Sequence, residues 1–277
     1  MSRRIRTTVK VGSIQTLLKD AATGDVFHLC DGDFSYRECH PAGVITRAYT
    51  EPHTFRLNGS EILCEGQYVE CWPFYKNTVV SRMGNDFFFG GKRLLRHKGS
   101  VKRCSSHQSG TILIEGENGL FLLESRRFLS AHAKPLSVHS FDEIKPVARG
   151  FIGRIETQFL FIDFSGKTKE VLRTEKPVLG YSHWQPFRDG IALREEKKIL
   201  FGEEVLCDTL EETDEWITAG VERNTLVVKS EHHIFIDGQE LAYPLPCANL
   251  EYHSKGFVVE AHLTEEKKSR LTLVAVK

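Results

Sequence analysis

No stretch of this 277-residue sequence approaches the ~18 consecutive apolar residues of a membrane-spanning helix, so no membrane span is expected. Net charge is absent as well. Lys plus Arg and Asp plus Glu both number 37, so the total pulls the molecule toward neither nucleic acid nor an anionic membrane. Any anion-binding surface must come from how the charges are arranged. C-x-x-C pairs are missing. The seven cysteines (Cys30, Cys39, Cys64, Cys71, Cys104, Cys207 and Cys247) are scattered and odd in number, and Cys39-His40 has no second pair, so no metal site is expected. The basic start, Met1-Ser-Arg-Arg-Ile-Arg, is not followed by the apolar core of a secretory leader. The thiols therefore read as reduced and mostly buried, and the chain as cytoplasmic. There is no Ser in a G-x-S-x-G elbow, and Gly90-Gly-Lys is a hairpin turn rather than a phosphate loop, so no cofactor is expected. Helical periodicity is nearly absent too. The exception is Ser13 to Ala22, where Ile14, Leu17 and Leu18 suit a helical turn or two, or equally a strand.

What the sequence does contain is a repeat. Seven segments begin with Gly, or Asn in its place, and run into a short apolar stretch: Gly43-Val-Ile-Thr-Arg, Asn77-Thr-Val-Val-Ser-Arg, Gly110-Thr-Ile-Leu-Ile-Glu, Gly150-Phe-Ile-Gly-Arg, Gly190-Ile-Ala-Leu-Arg, Asn224-Thr-Leu-Val-Val-Lys and Gly256-Phe-Val-Val-Glu. Successive starts are 34, 33, 40, 40, 34 and 32 residues apart. Each of the first six starts leads through a polar turn to a second apolar strand, such as Phe87-Phe-Phe or Phe159-Leu-Phe-Ile. A hairpin turn follows, usually with Gly, as in Asn58-Gly and Asp237-Gly, which supply the positive φ that two-residue turns require. A third strand enters through a pair such as Ile62-Leu63, Leu94-Leu95, Phe128-Leu129 or Val205-Leu206. A fourth, more polar and aromatic segment then runs to the next start.

Four short strands per ~35–40 residues, repeated along the chain, mark the blade of a β-propeller. The pattern resembles the β-propeller superfamily over nearly the whole chain, at the level of fold. The Trp-Asp and Gly-His pairs of WD repeats, the Gly-Gly doublets of kelch repeats and the Asp-box of sialidases are missing, so no family's functional residues carry over. The resemblance implies an all-β, seven-bladed propeller, a single domain over residues 1–277. After Gly256 two strands remain, and the first 42 residues hold strand-like runs at Ile5 to Val11 and Val26 to Leu29. Pairing the two ends builds one composite blade and buries both sheet edges. That module is longer than one blade needs, which leaves room for an extra strand, a helix or a partial eighth blade.

In propellers the first strand of each blade lines a central channel, and by that analogy the starts bring two rows of cations to it. Four or five residues after each start come Arg47, Arg82, Glu115, Arg154, Arg194, Lys229 and Glu260. Just before the starts sit His40, Lys76, His107, Arg149, Arg188, Arg223 and Lys255. Cations gathered in a low-dielectric funnel recruit anions, and Arg offers a forked donor for carboxylate or phosphate. The alternative is structural pairing with the many acids nearby, among them Glu156, Glu195, Asp189 and Glu222. Trp72 and Trp184, the latter beside His183, are aromatics flanked by Pro and cations, suited either to stacking against a partner or to wedging blades together.

These residues point to a non-catalytic scaffold presenting a basic, aromatic-rimmed channel face to a macromolecular partner, either a protein with an acidic segment or a nucleic acid. The second reading is a glycan-active hydrolase working through Asp142, Glu143, Asp189 or Glu222, with His183 or His253 shuttling protons.

Overall fold

The computed structural model describes residues 24–40, 43–62, 70–74, 78–89, 92–107, 111–123, 134–137, 139–178, 183–231, 233–263 and 265–276. The fold is an all-β, seven-bladed β-propeller built from seven four-stranded sheets. Among the described residues, no helix is long and apolar enough to cross a membrane. The strand-like run at Ile5 to Val11 and the segment Ser13 to Ala22 lie outside the described residues, as do Cys64, Lys76 and Phe128-Leu129.

Two compact units divide the chain. One covers Gly32–Phe141 with Ile162–Thr168 and holds blades 1 to 3. In sheet order, blade 1 is Phe34–His40, Gly43–Ala48, Phe55–Leu57 and Ser60–Ile62, and blade 2 is Glu70–Phe74, Thr78–Met83, Asp86–Phe89 and Lys92–Arg96. Blade 3 is Val101–Ser106, Ile112–Gly116, Gly119–Leu123 and Lys134–Ser137. The other unit covers Met1–Asp31, Asp142–Phe161 and Lys169–Lys277 and carries most of blade 4 and the blades after it. Blade 4 is Glu143–Val147, Gly150–Ile155, Gln158–Asp163 and Thr168–Arg173, and blade 5 is Trp184–Phe187, Gly190–Glu195, Lys198–Phe201 and Glu204–Cys207. Blade 6 is Glu215–Ala219, Thr225–Ser230, His233–Ile236 and Gln239–Leu241.

Blade 7 is the composite one. Its strands Cys247–His253, Gly256–Leu263 and Lys268–Ala275 are completed by the N-terminal strand Val26–Gly32. The Gly24 N–H bonds the Ala275 carbonyl at 2.7 Å at one end, and Asp31 pairs with Arg270 at the other, so these two strands run in opposite directions. The expected joining of the chain ends is thus realised, with the N-terminal strand in the fourth place of its sheet.

The repeat starts occupy a different place from the one expected of them. Each Gly- or Asn-led strand is the second of its sheet, and the polar, aromatic segment before it is the first. Within the larger unit, the first strands of blades 4, 5, 6 and 7 touch one another in succession. Burial explains the sequence pattern. The second strands are closed off on both faces, as in Gly150–Ile155 and Gly256–Leu263, whereas the fourth strands Thr168–Arg173 and Glu204–Cys207 are largely exposed. Apolar character therefore peaks at the second strand and fades outward, as half-buried and then solvated strands require.

Cores form between neighbouring blades. Ile45 and Phe55 of blade 1 join Trp72, Val80 and Phe87 of blade 2 and Ile112, Ile114 and Leu123 of blade 3 in one cluster. In the larger unit, Ile152 and Phe159 meet Trp184 and Ile191, Phe187 and Ile199 meet Trp216 and Leu226, and Val227 and Ile234 meet Phe257, Val259 and Val274.

Two hairpin turns stitch back to the second strand. Asn58 Oδ1 accepts the Val44 N–H at 2.9 Å, and Asp237 Oδ1 accepts the Leu226 N–H at 2.9 Å. This is how Asx side chains in turns satisfy a neighbouring backbone donor. Gly256, with φ of 152°, turns blade 7 from its first to its second strand where a Cβ would lie 1.9 Å from the Val274 carbonyl oxygen. A Gly256→Ala variant should lose about 3 kcal/mol of stability in chemical denaturation, since neither the backbone angle nor the clash can relax cheaply.

Candidate functional site

The first row of cations falls on the second strands, and the chain compensates most of it blade by blade. In blade 2, Arg82 stands opposite Glu70 and forms an ion pair through Nε, and its Nη1 donates to the Gly84 carbonyl at 2.7 Å. In blade 4, Arg154 stands opposite Glu143, with Nε 3.9 Å from that carboxylate and Nη1 3.5 Å from Asp142. In blade 6, Lys229 stands opposite Glu215 at 3.1 Å and donates to the Ala248 carbonyl at 2.9 Å. Blade 3 inverts the pair: Glu115 stands opposite Arg103 at 3.4 Å.

The remaining members of the row use other means. Arg47 lies over the Tyr36 and Phe55 rings at 5.6 and 5.3 Å. Arg194 donates to the carbonyls of Asp214 and Glu211 at 2.6 Å and of Glu196 at 3.2 Å. Glu260 faces Asn249. Directly opposed opposite charges stabilise a strand pair modestly, by ~0.2–1 kcal/mol each. They also leave little unpaired positive charge for an anion.

The second row is mixed. Arg149 is exposed in the turn between the first two strands of blade 4 and makes no ion pair with a described residue. Arg188, in the equivalent turn of blade 5, pairs with Glu204 at 2.8 Å and lies over Phe187 and Phe201 at 4.8 and 5.6 Å. Arg223, in the turn of blade 6, is buried over the Tyr252 ring at 3.4 Å and donates to the Thr218 hydroxyl at 3.3 Å. The Arg188 N–H bonds the Arg223 carbonyl at 3.2 Å, which ties two neighbouring turns together. His40 and His107 are buried, and His107 packs edge-on to Phe164 at 4.9 Å. Lys255 and His183 are exposed, and the His183 carbonyl accepts the Arg194 N–H at 2.9 Å.

Both candidate tryptophans are shut away from solvent and wedge blades together. Trp72 Nε1 donates to Glu38 of the preceding blade at 3.1 Å. Trp184 Nε1 donates to Glu143 of its preceding blade at 2.5 Å and meets Phe159 edge-on at 5.1 Å. Neither offers a ring face to a partner. The proposed acids divide in the same way. Glu143 is held by Trp184, Arg154 and Lys145, and Asp142 accepts the Glu156 N–H at 2.8 Å. Asp189 and Glu222 are exposed in turns, and His253, 1% exposed, accepts the Lys255 N–H at 3.0 Å.

Sequence reasoning missed a polar slot on the first strands. Glu38, Lys145, Gln185, Thr218 and Glu251 each stand opposite the residue two places after a repeat start. Lys145 Nζ donates to the Trp184 carbonyl at 2.5 Å, Gln185 to the Trp216 carbonyl at 3.3 Å, and Thr218 to the Pro186 carbonyl at 2.5 Å. All three bonds cross between blades. The signal was available as a polar residue five positions before the start in blades 1, 4, 5 and 7 and six before it in blade 6.

Lys145 is the extreme member, 3% exposed, with Nζ 3.1 Å from Glu143 and 4.4 Å from the Trp184 ring centroid. Burial pulls its pKa down from 10.5 to about 7, against the opposing pull of Glu143. The unfolded chain therefore binds this proton more tightly than the folded one across that interval. Stability should rise as pH goes from about 7 to 10.5, and the full cost of charging the amine is present below it. Urea denaturation across that range should show the slope in the parent and lose it in Lys145→Met. Parallel profiles would contradict the assignment.

No family model matches the chain, and no curated protein matches it either. Among solved structures it is similar to YCF48 bound to D1 peptide, with 11% identity and a TM-score of 0.51 over 93% of this chain and 98% of that one. It is also similar to BBS1N in complex with ARL6DN, with 8% identity and a TM-score of 0.49 over 92% and 98%. The N-terminal domain of Nup159 aligns at 10% identity and a TM-score of 0.46 over 98% of both chains. At such identities the likeness speaks to fold alone.

Proposed function

We propose that this chain is a non-catalytic scaffold, acting in the cytoplasm as a single seven-bladed domain, and that its partner is a protein. The reading rests on two exposed apolar side chains placed alike on neighbouring blades. Tyr49, 66% exposed, begins the turn between the second and third strands of blade 1. Met83, 47% exposed, ends the second strand of blade 2 at the same kind of turn. Blades 1 and 2 share a core and the Glu38–Trp72 bond, so the two turns lie on one edge of one unit. Tyr and Met are residue types that enrich the buried centres of protein interfaces.

The charge pattern favours a protein over a nucleic acid. A nucleic-acid surface needs cations pooled toward phosphates, whereas Arg82, Arg154 and Lys229 face carboxylates within their own blades. Of the residues expected to bind, Arg149, Arg188, His183 and Lys255 are exposed, Arg188 beside its partner Glu204, while Trp72, Trp184 and Arg223 are buried and Arg47 and Arg194 are engaged within the framework.

The test is capture of partners from the native host by the full chain, compared with a Tyr49→Asp/Met83→Asp variant. Both positions are exposed, so the variant should melt within a few degrees of the parent and retain a tenfold smaller amount of partner, or less. Equal recovery by the two proteins would remove this surface from the proposal.

A further inference from the structure

The larger unit contains a cavity of about 350 Å³. Its walls come from three places: Val26 and His28 of the N-terminal strand, Arg270 and Thr272 of the third strand of blade 7, and Tyr243-Pro244-Leu245 of the connector from blade 6. Residues two apart on a strand share a face, so each strand turns two side chains to the same space. The two hydroxyls among the lining residues already have partners. The Tyr243 and Thr272 hydroxyls bond each other, and Thr272 also donates to the Val259 carbonyl at 3.4 Å. Burial pushes the Tyr243 phenol up from its ordinary pKa, so it stays neutral. With these hydroxyls paired, a concave space walled by Val, Pro and Leu takes an apolar group, while the buried His28 Nδ1, 3.8 Å from Asp31, makes no hydrogen bond with a described residue.

The rim is different. Arg270 lines the cavity and is held by Asp31 in a bidentate pair, Nε and Nη2 each 2.8 Å from a carboxylate oxygen. That pair uses two of the five guanidinium N–H donors and fixes the plane of the group. The other donors bond no described residue, and the side chain is 36% exposed. His28 and Lys268 also act on Asp31, which its cationic neighbours hold below the usual carboxylate range. One acid is thus surrounded by three basic side chains beside an apolar hole.

We propose that this cavity is a docking site for an extended segment of a partner protein, in which an apolar side chain fills the hole and an adjacent Asp or Glu meets Arg270. The two recognition elements border one small space, so they must come from neighbouring residues of the ligand. Shape and apolar walls supply the anchor, and the oriented guanidinium supplies the selectivity. The inference deepens the scaffold reading by giving it a second contact and a partner chemistry, and it depends on that reading for its biological sense.

The test uses a displayed library of random decapeptides selected on the full chain, with Leu245→Glu and Arg270→Gln as comparison targets. Leu245 lies in a surface connector and Arg270 on a strand, so a melting curve for each variant establishes that it is folded. Peptides enriched on the parent should carry an apolar residue beside Asp or Glu, and synthetic copies should bind Leu245→Glu and Arg270→Gln at least tenfold more weakly by fluorescence anisotropy. They should bind Tyr49→Asp/Met83→Asp as well as the parent. Enrichment of Lys- or Arg-flanked peptides, no enriched pattern, or affinity indifferent to Leu245 would overturn the site. Self-association that disappears in Leu245→Glu would also overturn it, by making a second copy of the chain the occupant. Loss of the cavity with continued Tyr49-dependent partner capture leaves the scaffold reading standing.

Discussion

Flat sheets packed face to face through Val, Ile and Leu attract one another without fixing how they align, because apolar contact is not directional. The polar slot on the first strands supplies the direction. Lys145, Gln185 and Thr218 each reach across to a specific carbonyl of an adjacent blade, at 2.5, 3.3 and 2.5 Å. A one-residue slip would leave buried donors without acceptors, which costs ~1–3 kcal/mol for each group. The apolar clusters provide most of the attraction, and the slot selects one arrangement. The lowered pKa of Lys145 records what that selection costs: its ammonium is tolerated at neutral pH only because Glu143, the Trp184 carbonyl and the Trp184 ring surround it.

The same economy governs the charged rows. Arg82, Arg154 and Lys229 stand opposite acids in their own blades, and blade 3 keeps the pair while exchanging its two ends. The inverted pair is informative. An anion site needs cations left unpaired, whereas a framework needs only opposite signs across each strand pair, and Glu115 opposite Arg103 serves the framework. On the proposed scaffold reading, recognition falls to residues outside these rows, in turns and at the rim of the blade 7 cavity.

The blade count and the joining of the chain ends were legible because both follow from periodicity: Gly- and Asn-led apolar strands recur every 32 to 40 residues, and a strand without partners remains at each end. The order of strands within a blade was not. The second strand is buried on both faces and announces itself, while the first carries Glu38, Lys145 or Gln185 in its middle and looks like a loop. Counting from the loudest strand therefore placed the row from Arg47 to Glu260 on first strands, whereas it falls on second strands. For a related reason the sequence left Trp72 and Trp184 open between stacking on a partner and wedging blades together. Their Pro and polar neighbours suggested a solvated mouth, but which face of a strand is buried is decided by the adjacent blade, and nothing in the local sequence reports the Glu38 and Glu143 carboxylates that receive their indoles.

The turns between second and third strands carry this division of labour furthest. Gly84, Glu156, Glu196 and Glu231 open those turns in blades 2, 4, 5 and 6 with φ between 51° and 59°, a left-handed conformation that three glutamates adopt at some cost. Because strand pairing imposes the backbone shape, the residue at each turn is free to answer to the surface instead. In blades 4, 5 and 6 the outcome is exposed carboxylate, and blade 3 also has exposed Glu117 in this turn, whereas blade 1 places Tyr49 there and Met83 of blade 2 ends the strand just before it. Glutamate is no easier to accommodate at positive φ than many other polar residues, so its recurrence in three of these turns, set against Tyr49 in blade 1, argues that the turns answer to different surroundings.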